Sequence, residues 1–366
     1  MRPDKCLRAR SLVRRWGLTP AAAYGLAAIR HPDRAAIIDD RGPLTFAEVD
    51  RRANALAYAL RRANIDHRDT VAIMCRNHRW FIEATVACCK LGANILYLDP
   101  SDSASRRADL VRSEDAHALI YDEEFSELLQ PVGRGRQHFI AWCDADRPAL
   151  CPLIEELIAR EGLAAVPPPR KGSASTVLLA RNFASGANGT ERRLPNSLVI
   201  RGAAMSKIPL RRGEVTVVAA PMFGSWGFLQ FMLGLGLAST LVLPRTFDPT
   251  AVLDAADRHQ ATALATLPET LTGIIELPEA TSACYDTTAL RVIAVQGPAL
   301  ASDVAIPAML RFGDVLYNLH GSTVVQLNAD WVRQCPEKDE PARATPSVRL
   351  NGGLGGEYAA RSRGRR

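Results

Sequence analysis

The apolar and polar positions along this chain alternate between a helical period and short continuous apolar runs. The first clear signal is Thr45 followed three residues later by Glu48, a capping box. Phe46, Val49, Ala53, Leu56 and Leu60 then recur at helical spacing and predict a helix of about 17 residues. Residues 71–75 form an apolar run, residues 80–91 show a helical pattern ending at Gly92, and residues 93–98 are apolar again. That is a βαβ unit. The rhythm repeats with a helix near residues 104–112 and a strand at 118–121, which predicts an α/β fold with a parallel sheet covered by helices.

Further along, Pro167, Pro168, Pro169 and Gly172 mark a linker near residues 165–173. Residues 176–180 read as a strand entering a polar, Gly-containing loop. Residues 215–243 carry no charged side chain and are long enough to span a bilayer. Pro221, Gly224, Gly227, Gln230, Gly234 and Gly236 interrupt them, so strand, helix and strand buried in a soluble domain is the preferred reading. Past Val332 the pattern dissolves into an irregular Gly- and Arg-rich tail, residues 336–366. Residues 1–20 form a basic segment whose Leu7, Leu12, Val13 and Trp16 suit either anionic lipid or packing on the domain surface. The expected organisation is therefore this segment, a large domain over residues 21–335, and the tail.

Composition adds mainly exclusions. The chain has 366 residues, 47% of them hydrophobic, and a formal charge of +6. Arg greatly outnumbers Lys, and acidic residues are interspersed among the Arg rather than separated into a stripe, so no nucleic-acid partner is expected. The eight Cys include no C-x-x-C pair and no close His partner, so neither a zinc site nor a disulfide framework is indicated. No continuous apolar segment of secretory type opens the chain, and a cytoplasmic location, with peripheral membrane contact through residues 1–20 as a variant, is expected. There is no G-x-S-x-G elbow and no H-E-x-x-H helix, and the catalytic residues stay unassigned.

One loop suggests chemistry. Ala184-Ser185-Gly186-Ala187-Asn188-Gly189-Thr190-Glu191-Arg192-Arg193 follows the strand at 176–180, and its small and hydroxylated residues would let backbone N–H groups approach phosphate oxygens. It is not a Walker loop. In context, the order of segments resembles the adenylate-forming (AMP-binding) superfamily, in particular its fatty acyl-CoA synthetases. The resemblance rests on Leu44-Thr45-Phe46-Ala47-Glu48-Val49, on Val71 through His78, on Lys90-Leu91-Gly92-Ala93, and on Pro221-Met222-Phe223 with Trp226-Gly227-Phe228. Phe247-Asp248-Pro249 and the run from Gly313 to Thr323 complete it.

That resemblance implies the large N-terminal domain of the acyl-adenylate-forming fold, two stacked αβ subdomains with mainly parallel sheets plus a small β region, here without the C-terminal lobe. The implied reaction joins a fatty acid to CoA through an acyl-adenylate, with ATP and CoA as co-substrates and Mg2+ as the metal cofactor, by positioning and charge neutralisation. Carried over by position, Ser185, Gly186, Gly189, Thr190, Arg192 and Thr323 would hold the nucleotide and its phosphates. Gly297, Asn318, His320 and Gly321 would line the adenine side. Phe223, Gly224, Trp226 and Gly227 would face the acyl pocket.

Departures from the pattern carry their own expectation. The family loop is close to T-S-G-T-T-G-T-P-K-G, whereas Glu191 stands here at the Pro position, Arg192 at the Lys and Arg193 at the final Gly. A carboxylate about 4 Å from a phosphate charge would cost roughly 4 kcal/mol at an effective dielectric of about 20. The acidic residue expected to help hold Mg2+ is Val324, so no metal ligand is assigned, and the usual gating His is Gly224. The resemblance therefore implies a CoA-ligase-like protein of impaired or absent activity. Its alternatives are a non-catalytic acyl- or nucleotide-binding or regulatory pseudoenzyme, which would use the remaining acyl tunnel or pair with an intact relative, or a decayed gene product with no selected activity, to which the loss of pattern after Val332 points.

Overall fold

A computed structural model describes residues 11–12, 14, 16, 19–144, 151–163, 177–179, 192–194, 208–320 and 323–327. For 177–179, 192–194, 320 and 323–325 only the backbone is described. The chain opens with α1 (Pro20–Arg30), the hairpin strands β1 (Ala35–Asp39) and β2 (Gly42–Thr45), and α2 (Phe46–Arg62). Next come β3 (Thr70–Met74), α3 (Arg79–Leu91), β4 (Asn94–Tyr97), α4 (Ala104–Ser113), β5 (Ala116–Tyr121), α5 (Ser126–Gly133), β6 (Gln137–Ile140) and α6 (Ile154–Glu161). The hairpin of β7 (Val177–Leu179) and β8 (Arg192–Leu194) follows. Then β9 (Val215–Ala219), α7 (Ser225–Leu237), β10 (Thr240–Val242), α8 (Pro249–Arg258), β11 (Ala263–Thr266), α9 (Pro268–Glu276) and α10 (Glu279–Ser282) succeed one another. The last elements are β12 (Val292–Gln296), α11 (Ser302–Phe312), β13 (Leu316–His320) and β14 (Thr323–Leu327).

These strands form two sheets. The eight-stranded sheet runs β14-β13-β12-β11-β9-β10-β1-β2, and the six-stranded sheet runs β6-β5-β3-β4-β7-β8. Their interiors are parallel, with antiparallel pairs only at β1/β2, β13/β14 and β7/β8. Parallel strands need crossovers, which the helices supply by covering the sheet faces. One core, with Ile37, Leu241 and Leu243 of the larger sheet and Val71, Ile73 and Ile95 of the smaller, encloses α1, α2, α3 and α7 between them. Alternate residues of β12 separate accordingly: Ile293 and Val295 join the cluster under α8, α9 and α11, while Val292 and Ala294 pack with Trp226 on the opposite face.

Local chemistry sets the element ends. The Thr45 side chain accepts from the Glu48 N–H at 3.2 Å, and the Glu48 carboxylate accepts from the Thr45 N–H at 2.8 Å, so the expected capping box opens α2 and its 17 residues. These bonds draw the Glu48 carboxyl below its ordinary range. Gly92 closes α3 with φ at +85°, a conformation a Cβ would oppose. The charge-free stretch from residue 215 divides into β9, α7 and β10, with a helix of only 13 residues. No helix among the described residues is long and apolar enough to cross a membrane. Trp16 of the basic N-terminal segment is buried in the inter-sheet core, and Leu12 packs against it.

Candidate functional site

Expected nucleotide-site positions fall on two hairpins. In the smaller sheet, Leu179 of β7 pairs with Arg192 of β8, so the phosphate-loop sequence is carried between two paired strands. Ser185, Gly186, Gly189, Thr190 and Glu191 lie outside the described residues. In the larger sheet, His320 pairs with Thr323 and Leu319 with Val324 across the β13/β14 turn. Gly321 also lies outside the described residues.

The adenine-side expectations Gly297 and Asn318 come together. The Gly297 N–H donates to the Leu319 carbonyl at 3.1 Å, extending the β12/β13 ladder past β12. The buried Asn318 amide donates to the Val295 and Pro298 carbonyls at 3.4 and 3.3 Å, and its oxygen accepts from the Leu300 N–H at 3.4 Å. It thereby holds the turn that follows β12. A Cβ on Gly297 would meet Pro268 Cγ at 2.5 Å, so the close approach of α9 requires glycine there.

At the acyl-side positions the structure shows dense packing. Gly224 is the N-cap of α7, with no side chain to offer a cap hydrogen bond. Trp226 is buried, and its indole N–H donates to the Thr266 carbonyl at 3.0 Å. Gly227 lies so near the Ala220 and Pro221 carbonyls that a Cβ would overlap them. Phe223 is half-buried against the inter-sheet core.

Several polar residues to which the sequence reading gave no role tie this region together. Asn77, 1% exposed, donates to the Val218 and Ala220 carbonyls at 3.0 and 2.9 Å and accepts from the Met222 N–H at 2.9 Å. It joins the β3–α3 turn of one sheet to the β9–α7 turn of the other. Arg79 pairs with Asp39 at the end of β1, with its Nη2 2.5 Å from a carboxylate oxygen. Arg52 bridges the buried Glu83 at 2.5 Å and Glu155 at 2.5 Å. Burial pushes the Glu83 carboxyl up to about 7 in spite of Arg52 beside it.

The sequence predicts no cysteine with a close histidine partner, whereas Cys75, His78 and Asp122 converge with ligand-type atoms all within 4.8 Å of one another. A readable signal existed: Cys75 and His78 are three residues apart, and Cys75 and Asp122 each directly follow a strand of one parallel pair.

Two parallel-cored sheets enclosing a helical layer form the fold of the large N-terminal domain of adenylate-forming enzymes. The chain belongs to the AMP-binding enzyme family, which matches residues 26–350. It is 24% identical over 301 residues to 4-coumarate–CoA ligase 1 of Oryza sativa subsp. japonica, covering 77% of this chain and 52% of that protein. It is 27% identical over 301 residues to a feruloyl-CoA synthase of an Amycolatopsis species, covering 80% of this chain and 55% of the other. Its fold matches the anthranilate CoA ligase AuaEII in complex with anthranoyl-AMP with a TM-score of 0.70 at 16% identity, over 82% of this chain and 59% of that one. The chain spans about half the length of the curated relatives it matches.

Proposed function

We propose that this chain is the large domain of a carboxylate–CoA ligase of the acyl-adenylate-forming type, that it accepts a compact aryl or acyl carboxylate, and that its grip on Mg2+-ATP is weakened. The observation that supports the reading is the pairing of Val324 with Leu319 in the β13/β14 hairpin, next to Gly297 and Asn318, Val324 standing at the position where the resemblance implies a carboxylate. In this reading Ser185, Gly186, Gly189 and Thr190 approach the phosphates through their backbone N–H groups, with Arg192 as the cation and Thr323 at the far end. Gly297, Asn318, His320 and Gly321 face the adenine. Phe223, Gly224, Trp226 and Gly227 border the carboxylate pocket.

Magnesium does not suit the residues at Val324. A hard dication needs oxygen donors, and an isopropyl side chain offers none. No step is therefore assigned to a metal held there. Glu191 adds a second obstacle, since a carboxylate turned toward the phosphates would weaken nucleotide binding by near a thousandfold. A compact substrate is favoured by two observations. The buried Trp226 packs its ring against Ala263 and Ala265 of β11 beside the proposed carboxylate pocket, and the relatives described above are named for coumarate, ferulate and anthranilate.

The test is calorimetric titration of Mg2+-ATP into the full chain and into a Glu191→Pro, Val324→Glu double variant, followed by pyrophosphate release with coumarate, anthranilate and a fatty acid. Binding at least about tenfold tighter in the double variant is expected. Micromolar Mg2+-ATP binding by the unaltered chain, with turnover of any of the acids, would overturn the weakened grip. Turnover confined to the fatty acid would overturn the compact-substrate part alone.

A further inference from the structure

We infer that Cys75, His78 and Asp122 form a buried site for one thiophilic divalent metal ion of the zinc type, separate from the nucleotide hairpins. All three side chains are fully buried. Cys75 directly follows β3 and Asp122 directly follows β5, and the pairing of Met74 with Tyr121 sets them side by side at the carboxyl ends of adjacent parallel strands. The chain then turns through Arg76 and Asn77 and returns His78 as the N-cap of α3. Three unlike donors, a thiol sulfur, an imidazole nitrogen and a carboxylate oxygen, thus meet in one place.

Their chemistry and spacing suit zinc. Zinc takes Cys, His and Asp donors at roughly 2.0 to 2.3 Å, which sets tetrahedral ligand atoms about 3.3 to 3.8 Å apart. The donors lie within 4.8 Å of one another, and His78 Nε2 and Asp122 Oδ1, 2.8 Å apart, share a hydrogen bond whose proton the ion would replace as the two atoms part slightly. The second carboxylate oxygen accepts the Arg76 N–H at 2.9 Å, which fixes the orientation of the group as an outer hydrogen bond does around a metal. His78 Nδ1 is buried with no hydrogen-bond partner among the described residues. When Nε2 ligates, the ring proton resides on Nδ1, and the thiol proton of Cys75 leaves to solvent. The resulting set, one dication with a thiolate, a carboxylate and a neutral imidazole, carries no net charge, as a buried site requires.

Three protein donors leave the fourth tetrahedral position to a water molecule. The rings of Trp80 and Trp142 lie 5.6 and 5.4 Å from the His78 ring and line its surroundings. Because Asn77 lies between Cys75 and His78, an ion here would stiffen the turn that joins the two sheets. Loading of so buried a site takes place during folding.

The test uses the full chain, expressed in zinc-supplemented medium, dialysed against metal-free buffer and assayed for metal by mass spectrometry. It is then unfolded, stripped and refolded with Co2+ while absorption is recorded. About one zinc per chain is expected, together with a thiolate-to-cobalt charge-transfer band and intense tetrahedral visible bands. Cys75→Ala should abolish the charge-transfer band, and Asp122→Asn should reduce retained metal by about tenfold or more. Should either variant fail to fold, the unaltered chain decides. If it is folded by circular dichroism, holds less than about a tenth of an equivalent of zinc and shows no charge-transfer band, the three residues form a hydrogen-bonded cluster only. Undiminished metal and an unchanged cobalt spectrum in a folded Cys75→Ala variant would equally overturn the assignment.

Discussion

Replacing Asn77 with Ala isolates the polar contact between the two sheets. The Asn77 amide makes three buried hydrogen bonds, to the Val218 and Ala220 carbonyls and from the Met222 N–H, at 2.9 to 3.0 Å. Each bond contributes about 1 kcal/mol net, and each buried group left without a partner costs about 1–3 kcal/mol. Partial relaxation of the turn brings the expected loss to about 3–4 kcal/mol, a large share of the roughly 5–15 kcal/mol that holds a folded protein together. Urea unfolding followed by intrinsic fluorescence measures it, with the slope against denaturant compared between variants. The Asn77→Asp variant supplies the control. Its carboxylate still accepts from Met222 but faces two carbonyls with no proton to give, so it should be at least as destabilised as the Ala variant. A loss below about 1 kcal/mol at unchanged slope would refute the idea that this side chain holds the sheets in register.

Other perturbations have signs that the structure fixes. Gly227→Ala should lower stability by about 1–2 kcal/mol although Ala favours helices, because the new Cβ overlaps the Pro221 and Ala220 backbone. Gly234→Ala meets only the flexible Leu241 side chain and should cost less, and the reverse ranking in urea midpoints would contradict the packing argument. Asp39→Ala leaves the buried Arg79 guanidinium without its carboxylate and should cost about 3–5 kcal/mol; a midpoint near that of the unaltered chain would show the pair to be solvated. The fully buried Glu83 titrates near 7 in the folded chain against an ordinary 4.5, so the folded state holds its proton more tightly. Its contribution is complete below about pH 4.5 and is lost as pH rises through 7, on the order of 3 kcal/mol in all. Urea midpoints from pH 5 to 8 should therefore fall for the unaltered chain relative to Glu83→Gln, and parallel profiles would exclude Glu83 as the cause.

Elements governed by local periodicity were legible in the sequence. Thr45 and Glu48 satisfy each other within one turn, and the Phe46, Val49, Ala53, Leu56 and Leu60 stripe is buried as its spacing requires. The β3–α3–β4 unit lies within a residue of the expected bounds at each end, because Gly92 and the apolar runs punctuate it locally. Several elements passed unseen, among them α1, β1, β2 and the α5–β6–α6 stretch. The helix α1 is built from small residues after a Thr19 cap, and β2 is a short edge strand containing Pro43, so neither shows a strong period. The polar connections were harder to read for another reason. Asp39 and Arg79 are 40 residues apart and Asn77 and Ala220 are 143 apart, and no periodicity links such pairs. The candidate site divides in the same way: its motif residues could be quoted from the chain, but the meeting of Asn318 with the turn after β12 required the fold.

Four consecutive residues after β3, Arg76 to Arg79, tie the start of α3 to its surroundings. Arg76 reaches Glu124, Asn77 reaches the β9–α7 turn, His78 reaches Asp122, and Arg79 reaches Asp39. One short segment at the carboxyl end of a parallel strand thus contacts both sheets, where α/β folds of this kind place their ligand crevices. None of those bonds involves residues 184–193 or 323–324. On the proposed assignment of residues 184–193 and 323–324 to the nucleotide, these four side chains belong to a different set. The Glu191→Pro, Val324→Glu variant should accordingly unfold within about 0.5 kcal/mol of the unaltered chain while its nucleotide affinity changes. A large stability change in that variant would show that the loop and the β13/β14 hairpin belong to the structural network after all.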